Sequence, residues 1–151
     1  MITYQVEEWA DCWREMSALW PAHFEEVALN RDKIPLDPDL DLYHDLAARG
    51  QVHVVTVRCD GALVGYHIAF VRPHIHYRSS LTAYSDVYYI DPAHRKGRAG
   101  VKLFTETEKF LRQRGVERMY TGTKMSKDMA AIFERLGWKE VERQFSKYIG
   151  E

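Results

Sequence analysis

Cysteine is scarce: the 151 residues hold only Cys12 and Cys59, far apart and with no CxxC pair, so neither a disulfide framework nor a zinc knuckle is written here. No apolar run approaches the roughly eighteen residues of a membrane helix. The start, MITYQVEEWAD, lacks the basic lead and apolar stretch of a secretory leader. A reducing, cytoplasmic setting without a membrane partner is therefore expected. Net charge is also nearly absent, at -1, which argues against a nucleic-acid partner gripped through phosphate neutralisation. Prolines number five, and no low-complexity tract, repeat or linker-like stretch interrupts the chain. With 46% hydrophobic and 28% charged residues, disorder and collagen-like repetition are excluded.

What remains is enough for one packed core, and residues 1–151 read as a single domain. The charge is unevenly spread. Residues 1–60 carry 12 acids and 5 bases, whereas residues 61–151 carry 10 acids and 16 bases. The densest positive run is Arg95, Lys96, Arg98 and Lys102, with no acid between residues 92 and 105, a pattern suited to a compact polyphosphate.

Hydrophobic period orders the elements. Trp9, Trp13, Met16, Leu19 and Trp20 recur at helical spacing, and Pro21 separates that helix from a second through Phe24 and Val27. A short helix at Leu40–Ala48 ends at Gly50. Val52–Arg58 and Ala62–Val71 are β-branched and aromatic, and Asp60-Gly61 between them signals a hairpin. A loop with Pro73, His74, His76 and Arg78 leads to a strand at Leu81–Ile90, ended by Asp91-Pro92. A helix with a stripe from Val101 to Leu111 closes at Gly115, before a strand at Glu117–Thr123. That βαβ crossover predicts a parallel pair. A last helix around Met129–Leu136 stops at Gly137, and Trp138–Ile149 supplies one or two final strands. The fold class is α/β: one mixed, mostly antiparallel sheet with helices on both faces.

The chemistry concentrates where the strand ending Tyr88-Tyr89-Ile90 delivers the chain to Arg95-Lys96-Gly97-Arg98-Ala99-Gly100-Val101 and a helix. A small, basic loop opening a helix presents free N–H groups and a positive dipole end to phosphate. Gly97, Ala99 and Gly100 remove bulk, and Arg95, Lys96 and Arg98 add charge. It is neither a Walker loop nor a dinucleotide fingerprint, for it lacks both Gly-Lys-Ser/Thr and GxGxxG.

Arg95-x-x-x-x-Gly100, and later Phe133-Glu134-Arg135-Leu136-Gly137-Trp138, resemble the GNAT superfamily of N-acetyltransferases. The resemblance implies acetyl-coenzyme A as donor, its diphosphate on Arg95 to Val101 and its pantetheine beside Tyr89 and Ile90. Two departures stand out. Arg98 occupies the place of the usual first glycine, and Phe133 replaces the tyrosine whose hydroxyl protonates the leaving thiolate, with Ser126 in place of a common asparagine seven residues earlier. Phe133 and Ser126 are nonetheless expected beside the cofactor. Tyr88, Tyr120 or a water is left to supply the proton, and a thiol with a pKa of roughly 8.5 departs tolerably unaided.

Asp86 is the expected general base, a lone carboxylate in an aromatic, apolar strand. Histidines 74 and 76 read first as plain surface residues, with a substrate-contacting loop, together with His23, Glu25 or Glu26, as the second reading, and no metal site is expected. The acceptor is a small-molecule or peptide amine, and exposed last strands leave room for a homodimer. Two other readings stay open: a non-catalytic acyl-coenzyme A binding domain, and a nucleic-acid or protein-binding module.

Overall fold

The alternation of apolar and polar residues that makes strands is realised in a single curled sheet in the computed structural model, which describes residues 1–151. In chain order the elements are β1 (Ile2–Glu7), α1 (Trp9–Ser17), α2 (Trp20–Val27), α3 (Leu40–Ala48), β2 (Val52–Cys59), β3 (Ala62–His74), β4 (Tyr77–Ile90), α4 (Ala99–Gln113), β5 (Val116–Tyr120) and α5 (Ala130–Arg135). Sheet order is β1-β2-β3-β4-β5. The first three pairings are antiparallel and β4–β5 is parallel, as the crossover requires.

Four expectations need correction. The amino terminus forms β1, paired from Ile2↔Cys59 to Glu7↔Val54; the alternation of Ile2, Tyr4 and Val6 with polar residues was its signal. The expected loop around Pro73 is strand, closed by a two-residue turn at Ile75 and His76. Proline is tolerated there because β2 pairs with β3 only as far as Val52↔Phe70, leaving that edge of β3 free. β5 stops at Tyr120 rather than Thr123, where its pairing with β4 ends. Finally, residues 138–149 form no strand. Val141, Phe145 and Ile149 are 73%, 95% and 87% exposed, and with no layer to bury them the segment gains nothing from pleating.

Each face of the sheet has its own core. Trp9, Cys12 and Met16 of α1 pack on Val54, Tyr66, Ile68 and Tyr89. On the other face Ala99 and Leu103 of α4 meet Val55, Val57 and Ile90, while Leu111 meets Ala69, Val71 and Ala83. Of the tryptophans spaced along the front helices, Trp9 is buried and stacks on Tyr43 with ring centroids 4.5 Å apart, while Trp13 and Trp20 are half-buried. Burial pushes the Cys12 thiol up to about 12, so it stays protonated. No helix is long and apolar enough to cross a membrane.

Gly65 fixes how closely β3 approaches the end of β4. A Cβ there would lie 2.6 Å from the Tyr89 carbonyl oxygen and 3.0 Å from Ile90 Cγ1. Gly65→Ala is expected to destabilise the fold by about 1–3 kcal/mol through overpacking, measured as a drop in the urea midpoint.

Candidate active site

β4 and β5 run together only from Leu81↔Val116 to Tyr84↔Tyr120. Beyond Tyr84 they part, and the edge of β4 from Ser85 to Ile90 has no strand beside it. At the start of this splay β4 carries a bulge: Ile68 pairs with Val87 and Ala69 with Ser85, so Asp86 is left without a β3 partner. A bulge re-aims its side chain, and Asp86 reaches Tyr43 of α3, whose hydroxyl donates to Asp86 Oδ2. The residue keeps an exposed surface, yet the rings crowding its carboxyl raise its pKa above the ordinary value, against the lowering effect of the Tyr43 hydrogen bond.

The other end of the free edge is the loop. Asp91 Oδ1 accepts the Ala93 amide at 2.9 Å and starts a 3-10 turn over Pro92–His94. Gly97 then adopts φ +67°, a left-handed turn that favours glycine. The Arg95 amide is bonded to the Pro92 carbonyl and the Lys102 amide to that of Arg98, but the six amides from Lys96 to Val101 bond no carbonyl of the chain. They stand at the positive end of the 15-residue α4. Around Gly100, nothing lies within 4 Å of where a Cβ would be, so the cradle is open. Lys96 and Arg98 are exposed beside it.

Arg95 departs from the expected role. It leaves the strand on the α2 side, where its Nη1 and Nη2 donate to Glu26 at 2.7 and 2.6 Å, its Nε donates to the Ile90 carbonyl at 2.6 Å, and its guanidinium lies 5.2 Å from the Tyr89 ring centre. The same bond holds the Glu26 carboxyl below its usual range. Arg95 thus ties the loop to α2, and the exposed charge left at the loop is that of Lys96 and Arg98.

The remaining expected residues divide between the two faces. Tyr89 looks toward α2 and stacks on His23 at 4.9 Å, whose Nδ1 is 2.9 Å from the Tyr66 hydroxyl; burial lowers the His23 pKa. Tyr120 stacks on Tyr84 at 5.1 Å and accepts a hydrogen bond from Arg118 at 3.2 Å. On the opposite face, Tyr88 donates across the splay to the Gly122 carbonyl at 2.7 Å and lies edge-on to Phe104. Phe133 is buried against Phe104 and Trp138, with centroids at 4.8 and 5.8 Å. Ile90 is buried and Val101 half-buried. Ser126 sits exposed in the turn between Lys124 and Lys127 and makes no hydrogen bond. Tyr43 and Tyr66 were not foreseen. Each is 43 residues from its partner, and no local pattern reports such a meeting.

The sequence matches the model of the Acetyltransferase (GNAT) family over residues 5–138. The chain belongs to the GNAT acetyltransferase family. Its members among solved structures share the fold at low identity. A GCN5-related N-acetyltransferase from Ralstonia eutropha aligns with TM-score 0.77 at 18% identity, covering 99% of this chain and 100% of the other. An aminoglycoside acetyltransferase from an uncultured soil metagenomic sample, solved with sisomicin, aligns with TM-score 0.73 at 20% identity, covering 99% and 95%. A predicted acetyltransferase from Clostridium acetobutylicum, solved with acetyl-CoA, aligns with TM-score 0.70 at 10% identity, covering 99% and 97%. Among curated proteins none matches the sequence. Membership of the GNAT family makes the chain an acyltransferase by kind.

Proposed function

We propose that this protein transfers an acetyl group from acetyl-coenzyme A to a primary amine of a small molecule or peptide, by direct attack within a ternary complex. The observation that carries the reading is the run of six unbonded amides from Lys96 to Val101 at the head of α4, continuous with the free edge of β4. Such amides answer a diphosphate, with Lys96 and Arg98 supplying charge. The four residues from Ile90 back to Asp86 span about 13 Å of extended strand, a track on which the pantetheine amides find N–H and C=O partners. The bound cofactor supplies an acyl group activated as a thioester.

The chain's own groups divide the rest. Asp86 takes the proton of the acceptor amine, directly or through a water, and Tyr43 holds the carboxylate in place. An N–H of the free β4 edge, near Tyr89 or Ile90, meets the developing oxyanion. The Tyr88 hydroxyl spends its proton on Gly122, whereas the Tyr120 hydroxyl only accepts, from Arg118. Tyr120 is therefore the better donor toward the leaving sulfur. No cysteine relay is needed, for the Cys12 thiol is buried and protonated.

Isothermal titration with acetyl-coenzyme A and thiol release across a panel of amines test this. One binding event per chain and amine-dependent thiol release are expected. Absence of binding overturns the reading. Binding without thiol release from any amine selects the non-catalytic alternative, which the buried Phe133 favours.

A further inference from the structure

From Asp86 toward the β3–β4 turn, the face carrying α1 to α3 continues with half-buried rings and exposed arginines flanking a buried Thr82. Its cross-strand rows follow from the register. Phe70 stands opposite Tyr84 and Tyr84 beside Tyr120; one step on, Arg72 stands opposite Thr82 and Thr82 beside Arg118. Cross-strand neighbours share a face, so this strip presents aromatic rings and then two guanidinium groups, with no carboxylate on either row. Tyr84 and Tyr120 lie parallel at 9°, and Arg118 covers Tyr77 at 5.5 Å. Neither arginine is neutralised. Arg72 is exposed and makes no side-chain hydrogen bond, and Arg118 makes one, to the Tyr120 hydroxyl.

We infer that this strip is the acceptor's second anchor and that the acceptor is an amphoteric amine. Its reacting nitrogen meets Asp86, a flat or apolar body lies along Tyr84 and Tyr120, and an anionic group, carboxylate or phosphate, is received between Arg72 and Arg118. Two strand spacings place those arginines about 9–10 Å apart at Cα, close enough for two long side chains to converge on one anion. Along β4, Thr82 lies about 10 Å from Asp86 once the bulged residue is discounted, which sets the separation of amine and anion in the acceptor. A polycation finds the opposite of what it needs: beyond Asp86 the strip offers only positive charge, and Glu26 and Glu25 of α2 are already paired with Arg95 and Arg31.

The inference rests on the acetyl-transfer reading, and its test separates the two. Thiol release is measured with acetyl-coenzyme A and three acceptors: a tripeptide with free amine and free carboxylate, the same tripeptide amidated at its carboxyl end, and sisomicin. A preference of about tenfold to a hundredfold in kcat/KM for the free carboxylate is expected, the range of charge-assisted hydrogen bonds. Arg72→Gln, at an exposed position, should raise KM for the free-carboxylate peptide while leaving its amide unchanged; Arg118→Gln, which also removes the hydrogen bond to the Tyr120 hydroxyl, should bring the kcat/KM ratio of free-carboxylate to amidated peptide toward one, whatever it does to kcat. A phosphorylated amine in place of the peptide distinguishes the two anions. Turnover with equal preference, or with sisomicin ahead, overturns the anion anchor and leaves acetyl transfer standing. Titration of the N-acetylated peptide and its amide into the coenzyme A complex needs no turnover. Tighter binding of the carboxylate form, lost in R72Q/R118Q, supports the anchor even if no acceptor releases thiol, a result that counts against the transferase reading alone; equal binding sinks the anchor.

Discussion

Asp86→Asn is expected to lower kcat by about a hundredfold to ten-thousandfold, the usual worth of a positioned general base, while leaving acetyl-coenzyme A affinity within a few-fold of the wild type. The pH profile carries the sign. A base works when deprotonated, and crowding raises the Asp86 pKa, so the acid limb of kcat/KM lies above the ordinary carboxylate range and vanishes in the variant. Stability moves the other way. A folded-state pKa above the unfolded value means that the stability contribution is present below the unfolded pKa and is lost as pH rises through the folded one. At neutral pH the ionised Asp86 is therefore a burden on the fold, and Asn, whose Oδ1 still accepts from Tyr43, relieves it. A melting temperature equal to or above that of the wild type, with the loss in kcat, separates the chemical role from a structural one. An unchanged kcat assigns the proton to another group, and neutral His23 beside Tyr66 is next in line.

Gly100→Asp is expected to weaken acetyl-coenzyme A binding on the order of a hundredfold, because a carboxylate is placed where two phosphates are received. The fold should not suffer. A Cβ at Gly100 meets nothing within 4 Å, and an acidic residue in the first turn of α4 favours the helix dipole. Thermal denaturation unchanged or slightly raised, together with calorimetric loss of affinity, is the joint signature. Retained affinity would mean that the amides of residues 96–101 do not receive the cofactor.

Much of this arrangement was legible before any coordinates. The strand into Ile90, the basic loop and the stripe of α4 are local patterns, and the crossover rule turned them into a parallel pair. The bulge at Asp86 was not legible, because it arises from pairing with β3, where Ile68 and Ala69 meet Val87 and Ser85. Arg95 shows the other limit. Its place in a basic run pointed to phosphate, but Glu26 lies 69 residues away and takes both guanidinium arms. The closing segment failed for a third reason: Trp138, Val141, Phe145 and Ile149 recur every three or four residues rather than every second one, so they line no strand face, and Phe145 stays 95% exposed.

The Glu26–Arg95 pair has a consequence for how such a protein is retooled. In the proposed reaction α2 lies on the face where the acceptor would meet Asp86, and through Glu26 it also holds the loop that would receive the donor. Selection on that helix for a new acceptor therefore disturbs donor capture, and changes there come in compensated sets. The β3–β4 turn bears no such tether, so variation in acceptor choice accumulates there at little penalty to the shared donor.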